Sequence, residues 1–116
     1  MDSLEITINA VDGERAAGFW CEALGYRLRY RRDRYLVLEP VTGTGPQVVV
    51  QTVDAAPAGG AGTHLDLRVD RREETVARLV ARGARVQREV TEAGRTWTVM
   101  VDPEGNEFCV CPARTG

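Results

Sequence analysis

An internal repeat constrains the fold of this chain more than any other feature of its sequence. Asp12 and Gly25 enclose a segment in which apolar residues recur at helical spacing, and Asp70 and Gly83 enclose a second one. Asp70 follows Asp12, and Gly83 follows Gly25, at the same offset of 58 residues. Because Asp is a favoured helix N-cap and Gly a favoured helix terminator, the sequence predicts two helices of equal length. Glu73 would complete a capping box at the second helix.

Strand-like segments with alternating apolar and polar residues flank both predicted helices. One segment precedes each helix, at residues 4–10 and at residues 64–70. Three more follow each helix, at 26–31, 34–39 and 47–53 in the first half and at 84–90, 95–101 and 107–111 in the second. Each half therefore has the order strand, helix, strand, strand, strand. The sequence predicts an α+β fold built from two tandem βαβββ modules.

A segment rich in Pro, Gly and Ala, residues 54–62, separates the two halves. We therefore predict a single domain over residues 1–116, with module 1 at 1–53, a linker at 54–62 and module 2 at 63–116. One helix can cover only one face of each sheet. The two modules are accordingly expected to form a cupped mixed sheet around a central cleft.

Composition excludes several classes of function. The net charge is −2 and all 15 basic residues are arginine, so neither bulk attraction to nucleic acid nor a lysine Schiff base is expected. The N-terminus lacks the pattern of a signal peptide, and no apolar run has the length of a membrane span. We expect a cytoplasmic protein with reduced cysteines and with neither nucleic acid nor membrane as a partner.

Four segments carry a resemblance to a known superfamily: "DGERAAGFWCEALGY" (12–26), "THLDLRVD" (63–70), "ARLVARGARV" (77–86) and "DPEGNEFCVC" (102–111). With the repeat, they make the chain similar to the vicinal oxygen chelate superfamily of glyoxalases, bleomycin-resistance proteins and dioxygenases. It looks most like the actinobacterial glyoxalase-like domain group. The resemblance implies paired βαβββ modules and a homodimer.

The resemblance also implies where a metal would bind. Metal-binding members of the superfamily place one ligand on each first strand and one on each last strand, which here are Glu5, Gln51, His64 and Cys109. Those members usually have His or Gln on the first strands and Glu on the last, so only His64 is a usual ligand at its usual place. We therefore expect no metal cofactor, and a reduced divalent-metal site is the alternative. A single histidine excludes a two-His iron dioxygenase.

The strand before the final turn suggests a ligand surface. Alternation from Asp102 backwards places Trp97, Val99 and Val101 towards the expected cleft beside Cys109, where an indole can stack on a planar ligand. Packing of Trp97 at a dimer interface explains the same position. The predicted ligand-binding residues are Glu5, Gln51, His64, Trp97, Glu107 and Cys109.

Titratable side chains in the same region permit acid–base chemistry. Glu5 and His64 are the candidate catalytic pair, with Glu107 as a second carboxylate near His64. Asp66 and Arg68 fall on the same strand face and could instead neutralise each other.

An arginine-rich stretch, residues 27–34, is a separate feature of the first half. Alternation places Arg27, Arg29 and Arg31 on one face of a strand, with Leu28 and Tyr30 opposite. Such a surface could receive an anionic ligand, or it could be a solvated strand edge that discourages aggregation.

These observations lead to one preferred function and two alternatives. We predict a metal-independent small-molecule-binding protein of the glyoxalase/bleomycin-resistance type, one form of which would sequester a natural product. The first alternative is a glyoxalase-like lyase or isomerase that acts on a small carbonyl compound through a reduced metal site or the Glu5–His64 pair. The second is a regulatory subunit with no small ligand.

Overall fold

The computed structural model describes residues 3–55 and 62–114, and most of the predicted linker 54–62 lies outside these residues. The described residues contain eight strands and two helices in the predicted order. Their bounds are β1 Ser3–Ala10, α1 Gly13–Leu24, β2 Tyr26–Arg32, β3 Tyr35–Pro40, β4 Gln47–Thr52, β5 Thr63–Val69, α2 Arg72–Val80, β6 Arg85–Glu92, β7 Arg95–Val101 and β8 Glu107–Pro112. The predicted α+β class and the repeated βαβββ order are confirmed.

Two compact units account for the described residues. One contains those of 5–64, and the other contains 65–114 together with Ser3 and Leu4. Neither helix is long and apolar enough to cross a membrane in the part of the chain that the structure describes.

The first module, β1 to β4 with α1, has the strand order β2-β3-β4-β1. β1 and β4 are parallel, whereas the other pairs are antiparallel, so the sheet is mixed. α1 covers one face, where Ala17 packs on alternate residues of β3 and β4. The buried members of this core are Ala17, Leu36, Leu38, Val48 and Val50.

The second module, β5 to β8 with α2, repeats that arrangement with the order β5-β8-β7-β6. β5 and β8 are parallel, and β7 is antiparallel to both of its neighbours. The core beneath α2 contains the buried residues Val69, Ala84, Met100 and Val110. The face of each sheet that its helix does not cover is called here the helix-free face.

A β-bulge shows how closely the two modules correspond. The register of β2 on β3 shifts between Leu28 and Tyr30, and that of β6 on β7 shifts between Val86 and Arg88. The two shifts are separated by 58 residues, the offset that also relates Asp12 to Asp70 and Gly25 to Gly83 in the sequence. An irregularity of backbone pairing therefore repeats along with the regular elements.

The first bulge corrects the prediction for the arginine-rich stretch. An extra residue in β2 reverses the alternation, so Arg31 lies on the helix side and bonds to Glu14 of α1 at 2.7 Å. Arg27, before the bulge, pairs with Glu39 of β3 at 3.0 Å. β2 is the outer strand of its sheet, and these ion pairs on exposed arginines favour the interpretation as a charged strand edge.

The ends of α1 follow the sequence prediction. Asp12 is the N-cap, and its carboxylate accepts a hydrogen bond from the Arg15 amide at 3.1 Å. Gly25 ends the helix in the left-handed conformation, with φ of 72°. Helical spacing of the apolar residues between Asp12 and Gly25 predicts a buried stripe that includes Phe19 and Trp20. The prediction is correct for Trp20, which packs against the core, but wrong for Phe19. Phe19 is 63% exposed and forms a T-shaped ring contact with Trp20, and Ala17 is the residue that faces the sheet.

The ends of α2 differ from the prediction. Its N-cap is Arg71 rather than Asp70, and no side chain caps it, so the predicted capping box with Glu73 is wrong. The helix ends at Val80, three residues before Gly83, because the Arg82 and Gly83 amides bond to carbonyls three residues back and tighten the last turn. The two helices therefore have different lengths, 12 and 9 residues.

Replacing Gly25 with Ala should lower the free energy of unfolding by about 1 kcal/mol, because a Cβ is unfavourable at φ of 72°. Gly18→Ala is the matched control, since Gly18 is exposed inside α1 and a Cβ there meets nothing within 4 Å. Alanine at position 18 should raise the same free energy by about 0.5–1 kcal/mol. Urea denaturation measures both, and a stabilising Gly25→Ala would contradict the assigned cap.

Candidate functional site

The helix-free face of the second module carries a small apolar surface around two thiols. Val99, Cys109 and Cys111 are buried there, and the half-buried Trp97 packs against them. Thr98 points the other way and accepts a hydrogen bond from Arg72 of α2 at 2.6 Å. The predicted placement of Trp97 and Val99 beside Cys109 is confirmed.

The parallel register of β5 and β8 adds an acidic residue to this surface. Asp66 lies directly opposite Cys109, and Arg68 lies opposite Cys111. Since side chains alternate along a strand, His64 shares the face of Asp66. One ligating atom from each of His64, Asp66 and Cys109 can be chosen so that all three lie within 4.8 Å of one another.

Burial determines the state of the Cys109 thiol. Cys109 is 5% exposed and Asp66 is 7% exposed. Burial raises the pKa of the Cys109 thiol above its usual range, and the negative charges of Asp66, Cys111 and Glu107 and a hydrogen bond with Asp66 raise it further. Without a bound cation the thiol is therefore protonated, and it is a poor nucleophile.

The turn before β8 holds Cys109 in register. The Asp102 carboxylate accepts hydrogen bonds from the Glu104 amide at 2.9 Å and from the Asn106 amide at 2.8 Å. The Asn106 side chain donates to it as well, at 2.9 Å. The hydrogen bonds from Asn106 lower the pKa of Asp102, which keeps the carboxylate ionised at neutral pH. The "DPEGN" motif thus closes a tight loop from which β8 begins at a fixed residue.

The corresponding face of the first module carries amides. Asn9 lies opposite Gln51, and Glu5 lies opposite Gln47. When oriented to satisfy both of its polar atoms, the Gln47 amide donates to Glu5 at 3.2 Å and accepts from Arg29. In the same way the Gln51 amide donates to Asn9 at 3.1 Å. The polar side chains of β1 and β4 therefore form hydrogen bonds with one another across the two strands.

The predicted site residues lie in different surroundings. Glu5 is only 2% exposed and is four register positions from Gln51, which separates the two along the strand by about 13 Å. Glu107 is exposed at the start of β8. His64 and Cys109 do come together, as described above. The ligand and catalytic roles assigned to these residues remain predictions.

Asp66 is the member of this group that sequence reasoning did not select. Strand alternation places it on the face of His64, but only the pairing of β5 with β8 reveals that it meets Cys109. The three side chains offer an imidazole nitrogen, a carboxylate oxygen and a sulfur, a donor set that zinc accepts. If a metal bound there, these residues would hold it, and it would act as a Lewis acid towards a bound ligand.

Comparison with known proteins identifies the family. The model of the glyoxalase-like domain matches residues 5–111. No curated protein matches the sequence.

Among solved structures, an NAD-dependent benzaldehyde dehydrogenase from Legionella pneumophila is 12% identical, with TM-score 0.72 and coverage of 96% of this chain and 99% of that one. A glyoxalase/bleomycin resistance protein/dioxygenase superfamily member from Vibrio splendidus is 20% identical, with TM-score 0.62 and coverage of 94% and 97%. Methylmalonyl-CoA epimerase from Mycobacterium tuberculosis is 17% identical, with TM-score 0.70 and coverage of 97% and 89%. At these identities the structures show a shared fold, and the family match over nearly the whole sequence shows that the chain belongs to the glyoxalase-like domain family.

Proposed function

We propose that this protein binds a small organic molecule on the helix-free face of its second module. The observation that carries the proposal is the half-buried Trp97, which packs against Val99, Cys109 and Cys111. An aromatic ring provides a large contact area at small entropic cost, and nearby polar atoms orient the ligand. Asp66 and His64 supply such atoms on the same face.

The similar structures support a binding role without naming the ligand. Their names cover a dehydrogenase, an epimerase and a member of the glyoxalase/bleomycin resistance protein/dioxygenase superfamily, so the fold is compatible with several chemistries. Two ligand classes follow for this chain: an acyl-CoA ester, as the name of the epimerase suggests, and a natural product that the protein would sequester.

Several further features belong to this proposal. Glu5, Gln51 and Glu107 remain candidate ligand contacts in addition to the residues on the helix-free face of the second module.

We also expect a cytoplasmic homodimer, because the superfamily resemblance implies paired chains. Size-exclusion chromatography with light scattering would test the dimer, and a mass equal to one 12.7 kDa chain would exclude it.

Trp97 should report ligand binding through its fluorescence. The probes are bleomycin and methylmalonyl-CoA, each titrated into wild-type protein, Trp97→Phe and Trp20→Phe. We expect a saturable change in the wild type and in Trp20→Phe, because Trp20 packs in the core beneath α1. The change should disappear in Trp97→Phe, and Trp97→Ala should weaken binding by calorimetry by about two- to tenfold.

Two results would count against the site. An unchanged fluorescence response in Trp97→Phe would place the ligand elsewhere. A flat calorimetric titration of wild-type protein with both probes would remove the support for these two ligand classes.

A lyase or isomerase acting on a small carbonyl compound is the second candidate, and the meeting of His64 with Asp66 favours it. A histidine next to a carboxylate can move a proton at the carbon beside a carbonyl group, since the carboxylate stabilises the imidazolium that forms. Glu5 with His64 is the pair predicted from sequence, and a reduced metal site is the other route. In this structure Asp66 is the carboxylate grouped with His64.

Proton exchange tests this second candidate. Wild-type protein incubated with methylmalonyl-CoA in D₂O should exchange the proton at the substituted carbon, measured by NMR. His64→Gln and Asp66→Asn should slow the exchange by about 100-fold or more, because each removes a proton-transfer group or its partner. Trp20→Phe is the control and should keep the wild-type rate. Equal rates in all four proteins would exclude the pair from the chemistry.

A further inference from the structure

We infer that His64, Asp66 and Cys109 form a binding site for a thiophilic divalent cation, with Zn²⁺ as the natural occupant. The inference goes beyond the proposed ligand site because it does not require Trp97 to contact a ligand. It also departs from the expectation drawn from sequence, which was that no metal binds. That expectation compared Glu5, Gln51, His64 and Cys109 with the usual ligands of the superfamily and did not include Asp66.

The geometry of two paired strands supports the site. Asp66 and Cys109 are directly opposite each other on parallel strands, and His64 precedes Asp66 by two residues on the same strand. Their nearest ligating atoms lie within 4.8 Å of one another. Bonds of about 2.0–2.3 Å in a tetrahedral zinc site place the donor atoms about 3.5 Å apart. A tetrahedral site therefore needs these donor atoms to be closer together than the 4.8 Å within which they lie.

The chemistry of the donors favours zinc over hard cations. Mg²⁺ and Ca²⁺ are held by oxygen atoms, whereas a thiolate and an imidazole prefer zinc and similar ions. An ionised Asp66, an ionised Cys109 and a neutral His64 together carry two negative charges. A divalent cation cancels these charges, so the complex can be buried without a net charge.

Asp66 and Cys109 are almost completely buried, so a cation bound between them would be shielded from water. Metal binding would replace the thiol proton of Cys109, which leaves to solvent, with a metal–sulfur bond. Arg68, which donates to the Pro112 carbonyl at 3.2 Å, follows on the same face. An ion pair between Asp66 and Arg68 is the competing structural explanation.

The donor set differs from the one that the superfamily resemblance implies. There, each first and each last strand provides one ligand, whereas here β5 provides two and β8 provides one. Asp66 would supply the carboxylate that position 109 lacks. Three protein donors leave one zinc position open, which is the arrangement of zinc sites that polarise a ligand rather than only stabilise a fold.

Cobalt substitution tests the inference. Protein without a histidine tag is stripped with chelator and titrated with Co²⁺ while its absorption spectrum is recorded. We expect one equivalent to bind and to produce sulfur-to-cobalt charge-transfer absorption. Cys109→Ser should abolish that absorption and weaken Co²⁺ binding by at least about 100-fold, because ligand loss should exceed the 10- to 100-fold effect of altering an outer partner. Zn²⁺ should displace Co²⁺, and excess Mg²⁺ should not.

Matched variants test whether the charge-transfer absorption arises from Cys109 rather than from a neighbouring side chain. Cys111→Ser and Trp97→Phe should retain the absorption, because neither side chain is among the three ligands. Cys109→Glu should bind without charge-transfer absorption and should gain affinity for Mn²⁺ relative to Zn²⁺. Near-ultraviolet circular dichroism verifies that each variant is folded.

Three outcomes would overturn the site. They are the absence of stoichiometric Co²⁺ binding by wild-type protein, charge-transfer absorption that persists in Cys109→Ser, and binding that neither His64→Ala nor Asp66→Ala weakens. If the protein binds Co²⁺ as expected but its fluorescence does not respond to either ligand, the cation site is supported and only the proposed ligand binding is contradicted.

Discussion

The parallel pairing of the first and last strands of each module is the constraint on which the rest of the structure depends. Such a pair cannot be closed by a tight turn and needs a crossover connection of about a dozen residues or more. In each module that connection consists of the helix and two further strands. The helix then covers one face of the sheet and leaves the side chains of the other face aligned in rows across strands. In the second module that alignment places Asp66 opposite Cys109.

The two modules use the same scaffold for different chemistry. Where the second module pairs an aspartate with a thiol, the first pairs Asn9 with Gln51 and Glu5 with Gln47. Amide groups are weak metal ligands but good hydrogen-bonding partners, and here they can satisfy one another and nearby arginines. The difference explains why cation binding is proposed for the second module alone.

Sequence patterns predicted the elements of the fold but not the pairing between them. The period of two in "HLDLRV" and the cap at Asp12 are local properties, and the structure agrees with both. Arg31 was assigned to the wrong face because a bulge depends on the partner strand and leaves no clear mark in the sequence. α2 ends early at Val80 because its last turn tightens, although Gly83 has the positive φ that its position suggested.

The candidate site also shows that sequence patterns do not predict which strands pair. His64 and Cys109 could be selected from sequence because they occupy positions that the superfamily uses, and Trp97 could be selected by alternation. Asp66 could not, because its importance arises from a register between strands more than 35 residues apart in sequence. Comparison with the superfamily predicts no metal, because it compares the residue at each position with the usual ligand there. It does not consider which other side chains, such as Asp66, lie nearby in the folded chain.

We propose that β5 and β8 together bind zinc through one sulfur atom, that of Cys109. X-ray absorption at the zinc edge of the loaded wild-type protein tests it most directly, because the spectrum counts sulfur neighbours and measures their distance. We expect one sulfur at about 2.3 Å with nitrogen and oxygen neighbours at about 2.0–2.2 Å. A shell of nitrogen and oxygen alone, or one with two sulfur atoms, would contradict the assignment of His64, Asp66 and Cys109.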